Sequence, residues 1–179
     1  DLASEGISYY PQLIAFAGHS VNRIREASRL SVEYEIADGL GTVGMPFIIR
    51  DRNDMEELSR KVSEGNTFYQ YYFKVDEGIT EIYLGNFTPI GNATYAFQGT
   101  FDGNGVKFVL DINNPTLDHQ GLFGRINTGA TIKNFSVAGS VIGRNHVASV
   151  LGTLTNGTVQ QVYNEATIEG NNNVGGIVG

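Results

Sequence analysis

The sequence predicts a β-solenoid, a stack of similar coils of β-strand, and three observations support this. Residues 131–152 (TIKNFSVAGSVIGRNHVASVLG) and residues 158–179 (TVQQVYNEATIEGNNNVGGIVG) repeat each other at an offset of 27 positions. A fixed period in this range is typical of one supersecondary unit stacked on its own copies. The repeat is rich in β-branched residues rather than helix formers. Its glycines, part of 23 in the chain, recur at matched places, which indicates tight turns rather than disorder.

The two copies agree at polar turn positions and at apolar positions. The identical pairs are Thr131 and Thr158, Gly143 and Gly170, Asn145 and Asn172, Val147 and Val174, and Gly152 and Gly179. Alternation of apolar and polar residues predicts which side chains point into the solenoid. These are Ile132, Phe135, Val137, Val141, Val147, Val150, Leu151, Val159, Val162, Ile168, Val174 and Ile177. Small residues should let adjacent coils approach closely, at Ala148, Gly152, Gly175, Gly176 and Gly179.

One helix is predicted, near residues 53–64. Asn53 and Glu56 have the spacing of a capping box, and Gly65 suits a C-terminal stop. Met55, Leu58 and Val62 fall on one helical face. The end of a solenoid exposes an open strand edge that must be covered. We therefore interpret this amphipathic helix as a cap on the first coil rather than as a partner-binding helix.

Short strands are predicted on both sides of this helix. Ile48 and Ile49 suit a short strand before it, and YYFKVDEGI (71–79) and EIYLG (81–85) read as strands after it. FDGNG (101–105) predicts a hairpin or tight turn. GLFGRI (121–126) begins the next rung of the stack.

The combination of motifs resembles the GLUG-motif repeat family of bacterial cell-surface proteins. GTFDGNG is followed by GLFG, by INTGATIKNFSVAGSVIG and by NNVGGIVG, and the resemblance covers residues 46–179. One departure is VASVLG at 147–152 in place of the typical VGGLVG, so that Ala148 and Ser149 should widen that coil. The resemblance implies an all-β, right-handed parallel β-helix with a short N-terminal capping helix. It carries no catalytic residues over to this chain.

Residues 1–45 differ from the rest of the chain. They contain SYYPQLIAFA (8–17) and NRIREASRLSVEYEI (22–36), followed by the loop-like GLGTVGMP (39–46). Residues 8–30 are similar to the tail of an upstream module in multi-module proteins of the same kind. We expect residues 1–45 to be such a tail or an N-terminal docking segment. Because the chain ends at Gly179 within a repeat, we expect further repeats or domains in the intact protein.

Composition excludes several classes of function. The formal net charge of −7 argues against binding to duplex nucleic acid and to anionic membrane surfaces. The absence of cysteine excludes disulfides, thiolate chemistry and the usual structural zinc sites. No stretch reaches the roughly 18 apolar residues of a membrane-spanning helix, so we expect no membrane insertion. An extracellular or cell-wall-anchored bacterial location is what the resemblance implies.

No catalytic constellation is recognisable. The available acids are Asp102, Asp111 and Asp118, with the basic residues Lys107, Arg125 and Lys133 nearby. Polysaccharide-degrading β-helices need carboxylates that converge, and these acids do not repeat at the coil period. Turn geometry alone accounts for Asp102. We expect no catalytic residue and no cofactor.

Histidine and amide side chains are the remaining candidates for a metal site or a hydrogen-bonding role. His19, His119 and His146 show no metal-binding spacing, and His146 aligns with Asn173 at a turn that should face solvent. We therefore expect no metal site. Asn134 and Gln161 occupy equivalent positions, where stacked amides could hydrogen-bond between coils in a structural role.

Aromatic residues concentrate between positions 68 and 97, and most should pack the cap and the first coil. Tyr69, Tyr71 and Tyr95 are the candidates for exposure and for ligand binding, because sugars stack on aromatic rings while amides bind their hydroxyls. We therefore expect a non-catalytic surface or secreted module that binds a host or matrix glycan or protein through the solenoid face. The alternatives are an ancillary or catalytic domain of a secreted polysaccharide-degrading enzyme or surface peptidase, and a structural spacer.

Overall fold

A computed structural model describes residues 39–179, which contain one helix and ten strands. The elements in chain order are β1 (Phe47–Ile49), α1 (Arg52–Ser63), β2 (Tyr72–Val75), β3 (Glu81–Gly85), β4 (Thr100–Asn113), β5 (Phe123–Ile126), β6 (Thr131–Ile142), β7 (Asn145–Val147), β8 (Leu151–Leu154), β9 (Thr158–Glu169) and β10 (Asn172–Val174). The predicted features at 8–17 and 22–36, together with His19, lie outside the described residues.

All strand pairs are parallel, and they stack as a β-solenoid of about 5 turns. The main sheet has the order β1-β2-β4-β6-β9, with β3 also bonded to β4. The pairs β5–β8 and β7–β10 form two further faces. Thr131 pairs with Thr158, so the 27-residue sequence repeat is one coil. The predicted fold class is confirmed; the right-handed winding agrees with the strong preference of parallel crossover connections and stays a prediction.

In the first coil, helix α1 stands where later coils have the strands of the two further faces, β5–β8 and β7–β10. Its face of Met55, Leu58 and Val62 is fully buried, and Ser59 Oγ donates to the carbonyl of Thr88 in the next coil at 2.8 Å. The predicted capping role is confirmed. Burying that apolar face against the second coil removes the open end of the core from water.

The ends of α1 differ in part from the prediction. The N-cap is Asp51, whose carboxylate accepts from the backbone N–H groups of Asn53 and Asp54 at 2.8 and 3.1 Å. The expected capping box at Asn53 is therefore wrong, because Asp51 supplies the capping oxygen two residues earlier. The predicted stop is confirmed, since Gly65 adopts a left-handed φ of 101° and its N–H bonds to the Val62 carbonyl at 3.0 Å.

The FDGNG segment lies inside β4 and does not form a hairpin. Asn104 and Gly105 adopt left-handed φ values of 52° and 84°, and the N–H of Asn104 bonds to Asp102 Oδ1 at 3.0 Å. These residues turn the strand through a corner while β4 remains parallel to β2 and β6. The tight-turn alternative is therefore confirmed and the hairpin is not, because the partners of β4 come from other coils.

A continuous apolar core fills the solenoid. Its largest members are seven phenylalanines that are almost fully buried: Phe73, Phe87, Phe97, Phe101, Phe108, Phe123 and Phe135. The predicted core residues from Ile132 to Leu151 are all buried. In the last coil Val159, Val162, Ile168 and Ile177 are partly buried against the core, while Val174 is 44% exposed. This exposure arises because β9 and β10 are bonded to a neighbouring coil on one side only.

Close approach of the coils is confirmed at two of the predicted glycines. A Cβ at Gly152 would lie 2.9 Å from the carbonyl oxygen of Gly124 in the coil before it, and one at Gly179 would lie 2.6 Å from the nitrogen of Val147. Neither position has room for a side chain. At the departure from VGGLVG, Ser149 is fully buried and its Oγ donates to the Gly176 carbonyl at 2.6 Å. That hydroxyl ties the coil directly to the next one.

Candidate ligand-binding site

Three corners, each defined by stacked left-handed residues, divide the surface of the solenoid. The amide corner contains Asn104, Asn134 and Gln161; the histidine corner contains His119, His146 and Asn173; the tyrosine corner contains Phe68, Gly129 and Asn156. Side chains at equivalent places of successive coils lie about 4.8 Å apart, so they form ladders along each corner. What these ladders bond to decides which corner is available to a ligand.

At the amide corner, the predicted equivalence of Asn134 and Gln161 is confirmed by the pairing of their flanking residues. The expected bond between the two amides is wrong, because Asn134 Nδ2 donates to Asp102 Oδ1 at 2.9 Å instead. An amide ladder of the expected kind is found at the histidine corner. There, Asn172 Nδ2 donates to Asn145 Oδ1 at 2.9 Å.

Each candidate acid is bonded to a neighbouring side chain rather than to another acid. Asp102 pairs with Lys133 at 3.3 Å, and Asp111 accepts from Ser140 Oγ at 2.9 Å. Burial works to raise the pKa of Asp102, but hydrogen bonds from Asn134 and the Asn104 amide, with the charge of Lys133, lower it below its ordinary value. Such a carboxylate stays ionised and does not act as a general acid near neutral pH.

Asp118 is tied still more firmly, at the histidine corner. Arg144 donates to both of its carboxylate oxygens, at 2.8 and 2.7 Å, and Asn145 donates from its side chain at 3.0 Å. The Arg144 hydrogen bonds hold the pKa of Asp118 well below its usual range. Within residues 39–179, no group of three or more His, Asp or Glu side chains is placed to hold a metal ion.

The two histidines of this corner stack on each other, which the sequence analysis missed. Their ring centroids lie 5.0 Å apart at an interplanar angle of 10°, and His119 Nδ1 lies 2.8 Å from Thr153 Oγ1. Burial first, and then the nearby His146, lower the pKa of His119. His146 occupies a left-handed turn position as predicted, but it is half-buried rather than solvent-facing. The 27-residue spacing of His119 and His146 was the signal for this stack.

The tyrosine corner is built differently, around a loop that the second coil inserts at 91–96. The N–H groups of Thr94 and Tyr95 both donate to Asn92 Oδ1, at 2.8 and 2.9 Å. From the next coil, Arg125 Nη1 donates to the carbonyl of Ala93 at 2.9 Å. These bonds fix the loop and leave the Tyr95 ring 41% exposed.

Tyr95 lines a depression of about 180 Å³ on this corner. Its other lining residues are polar or small: Thr67, Thr94, Ala96, Gln98, Arg125 and Asn127. The backbone N–H of Gln98 donates to the Thr67 carbonyl at 2.8 Å, which joins two coils beneath the depression. An exposed ring beside amide and hydroxyl groups is the chemistry predicted for sugar recognition.

The other two candidate tyrosines are exposed but have different surroundings. Tyr69 is 54% exposed, and a Cβ at Gly129 would lie 2.9 Å from its ring, so this ring covers the turn that follows Asn127. Tyr71 is 46% exposed, but it stacks on Phe47 with centroids 5.8 Å apart and does not line the depression. The structure therefore brings Tyr69 and Tyr95 to one corner and leaves Tyr71 in the aromatic packing of the first coil.

Comparison with known proteins shows two relatives. Halomucin from Haloquadratum walsbyi is 35% identical over 147 residues, which are 79% of this chain and 2% of halomucin. A Gly-rich membrane protein from Evansella cellulosilytica is 28% identical over 125 residues, which are 66% of this chain and 14% of that protein. The chain thus spans only a small part of the relatives it matches.

No family model matches the chain, and no solved structure matches it. Neither relative carries the name of an enzyme, and both names fit surface or membrane association. Halomucin is archaeal, so the expected bacterial source stays a prediction, as does the GLUG resemblance. Within residues 39–179, no helix has the length and apolar character needed to cross a bilayer.

Proposed function

We propose that this chain is a non-catalytic module of a cell-surface or secreted protein and that it binds a glycan at the tyrosine corner. The observation that carries the proposal is the exposure of Tyr95 beside Gln98 and Asn127, with the exposed Tyr69 ring over the nearby Gly129 turn on the same corner. Rings of this kind stack on the apolar face of a sugar, and amides satisfy its hydroxyls.

Hydrogen bonds within the protein hold the proposed binding surface in place. Asn92 and Arg125 hold the 91–96 loop, and the Gln98–Thr67 bond anchors the floor of the depression to the coil before it. Preorganised side chains lose little conformational entropy on binding. The mechanism would be a few aromatic anchors supported by many weak polar contacts along the corner.

A surface setting is supported by the names of the two relatives and by the GLUG resemblance. Within that setting we propose a role in adhesion, with a host or matrix glycan or glycoprotein as the partner. Further repeats or domains of the same protein would carry the module away from its anchor. A role as a catalytic domain is disfavoured, because Asp102, Asp111 and Asp118 are each held by a neighbouring side chain.

The test is a glycan-array screen of the 179-residue chain with three proteins in parallel. These are the wild type, a Tyr69→Ala/Tyr95→Ala variant, and a Tyr83→Ala control, whose ring is 60% exposed outside the depression. We expect saturable binding that the double variant loses and the control keeps. Absence of binding across the array would contradict the proposal and favour the spacer.

A spacer is the second candidate, and a specific observation favours it. The ladders at the other two corners, such as Asp118–Asn145–Asn172, bond along the solenoid axis and stiffen it. A stiff rod holds another domain at a fixed distance and needs no ligand. Full retention of adhesion when the module is replaced by an unrelated rod of equal length would favour this role.

A further inference from the structure

One cation stands apart from all the others in residues 39–179. Arg125 has no carboxylate within 4.0 Å among the described residues, although the chain is acidic overall. Every other described lysine and arginine has such a partner: Arg50, Arg52, Arg60, Lys61, Lys74, Lys107, Lys133 and Arg144. Within residues 39–179, each of these cations is thus paired with a carboxylate, and only the Arg125 guanidinium is not.

The guanidinium of Arg125 lies at the tyrosine corner and is only partly satisfied there. Nη1 donates to the Ala93 carbonyl, while Nε is buried and has no hydrogen-bond partner within the described residues. A guanidinium carries five N–H donors. Since Nε is buried and Nη1 makes only one bond to a carbonyl, the remaining Nη hydrogens and the positive charge stay available to a ligand.

The surroundings of Arg125 point to the class of that ligand. No residue that lines the depression with it is acidic, and Tyr95, Gln98 and Asn127 offer a ring and two amides. A volume of about 180 Å³ is small for a drug-sized ligand and suits a single monosaccharide unit. Arginine matches the planar carboxylate geometrically and electrostatically, and the pair forms strong charge-assisted hydrogen bonds.

We propose that the depression binds an acidic sugar unit, a uronate, with its carboxylate on Arg125 and its ring against Tyr95. This inference rests on the proposed glycan-binding function and specifies its ligand. A lone guanidinium suits the single charge of one uronate. A densely charged phosphate or sulfate polymer would require several cations side by side, and the described surface offers no second cation without a carboxylate partner.

The experiment compares two probes that differ only in charge. The first is a tetrasaccharide of alternating glucuronate and N-acetylglucosamine; the second is the same tetrasaccharide with its carboxyls reduced to primary alcohols. Binding of each to the 179-residue chain is measured by calorimetry at about 0.15 M salt, where long-range attraction is screened. The variants are Arg125→Gln, Arg125→Lys and the control Arg144→Gln, which removes an equal charge from the histidine corner.

We expect the wild type to prefer the acidic probe by about ten-fold or more, as a charge-assisted pair provides. Arg125→Gln should abolish that preference, because glutamine carries no charge. Arg125→Lys should keep part of it, and Arg144→Gln all of it. Equal loss of both probes in Arg125→Gln would mean that Arg125 only holds the loop, and it would overturn the inference.

The remaining outcomes separate this inference from the proposed function. Binding of neutral glycans alone, or equal binding of both probes by the wild type, overturns the uronate assignment and leaves glycan binding in place. An acidic preference that survives in Arg125→Gln also overturns it, since another group would then hold the carboxylate. Failure of the chain to bind any glycan overturns both.

Discussion

The histidine corner and the tyrosine corner use polar residues in opposite ways. At the histidine corner, Asp118 accepts from Arg144 and from Asn145, and Asn145 in turn accepts from Asn172. At the tyrosine corner, Arg125 has no carboxylate partner among residues 39–179, and Tyr95 stays 41% exposed. Polar groups that bond to the next coil hold the stack together, whereas polar groups left facing solvent are available to a ligand.

The difference has a physical origin in the repeat. Where successive coils carry matched short polar residues, as at Asn145 and Asn172, side chains about 4.8 Å apart bond to each other. The tyrosine corner interrupts this regularity, because the second coil inserts the 91–96 loop and the first coil contributes the end of α1. Irregular coils cannot pair residue for residue, and their side chains remain free for another role.

The largest test of the ladder description removes a whole coil. Deletion of residues 131–157 joins Ala130 to Thr158 and should leave a folded, shorter solenoid in which β4 pairs with β9. Asn172 would then take the place of Asn145 beside Asp118, because the two occupy the same coil position. We expect the far-ultraviolet circular dichroism to remain that of β-structure and the urea m-value to fall. Collapse of the whole fold would contradict a stack held by nearest-neighbour coils.

A substitution at Gly152 should have the next largest effect on the stability of the fold. A Cβ there would lie 2.7 Å from the His146 carbonyl oxygen and 2.9 Å from that of Gly124, so Gly152→Val forces adjacent coils apart. We expect the free energy of unfolding to fall by about 3 kcal/mol. Gly44→Val is the control, because a Cβ at Gly44 meets nothing within 4 Å. Equal urea midpoints for the two variants would contradict the close packing of this corner.

Removal of the Asp118 charge should lower the stability of the fold by a smaller amount, which depends on pH. The Arg144 hydrogen bonds depress the pKa of Asp118 in the folded state, so ionised Asp118 stabilises the fold above its ordinary pKa of about 3.9. This contribution is lost as the pH falls through the lower folded-state pKa. We therefore expect Asp118→Asn to lower the urea midpoint at neutral pH. The difference in urea midpoint between the variant and the wild type should shrink towards about pH 2. A difference that stays constant with pH would argue against the ion pair.

The smallest effect on stability is expected from a substitution in the stacked pair His119 and His146. Burial and His146 hold the pKa of His119 below its ordinary value, so the stability that goes with neutral His119 is lost as the pH falls from about 6.5. His146→Asn removes the neighbouring imidazole and places at this left-handed position the residue type found at Asn173. We expect the pKa of His119, measured by NMR titration, to rise. An unchanged titration would show that His146 does not contribute to the lowered pKa of His119.

Much of the solenoid could be predicted because its signals are periodic and local. The alternation from Ile132 to Leu151 and the 27-residue repeat identify strands and coils directly, since buried positions recur at fixed intervals. The helix was predicted from its apolar face, although Asp51 rather than Asn53 caps it. The exposure of Tyr69 and Tyr95 was also predicted, from residue type and neighbours.

The parts that could not be predicted depend on which residues face each other across coils of unequal length. The contact of Arg125 with Ala93 spans two coils around an insertion, so no fixed period relates them. In the same way, the regular repeat did not show that Asn134 bonds to Asp102 rather than to Gln161. Sequence analysis named Arg125 only as a basic residue near acids; its lack of a carboxylate partner is visible only in three dimensions.

The most direct test of the contrast between the two corners measures stability and glycan binding in the same two variants. Tyr95→Ala should abolish binding to the array-identified glycan and change the free energy of unfolding by less than about 0.5 kcal/mol. Asp118→Asn should lower the urea midpoint at neutral pH and leave the glycan affinity unchanged. Loss of stability in Tyr95→Ala with unaltered binding, or loss of binding in Asp118→Asn, would contradict the division between a structural corner and a ligand-binding corner.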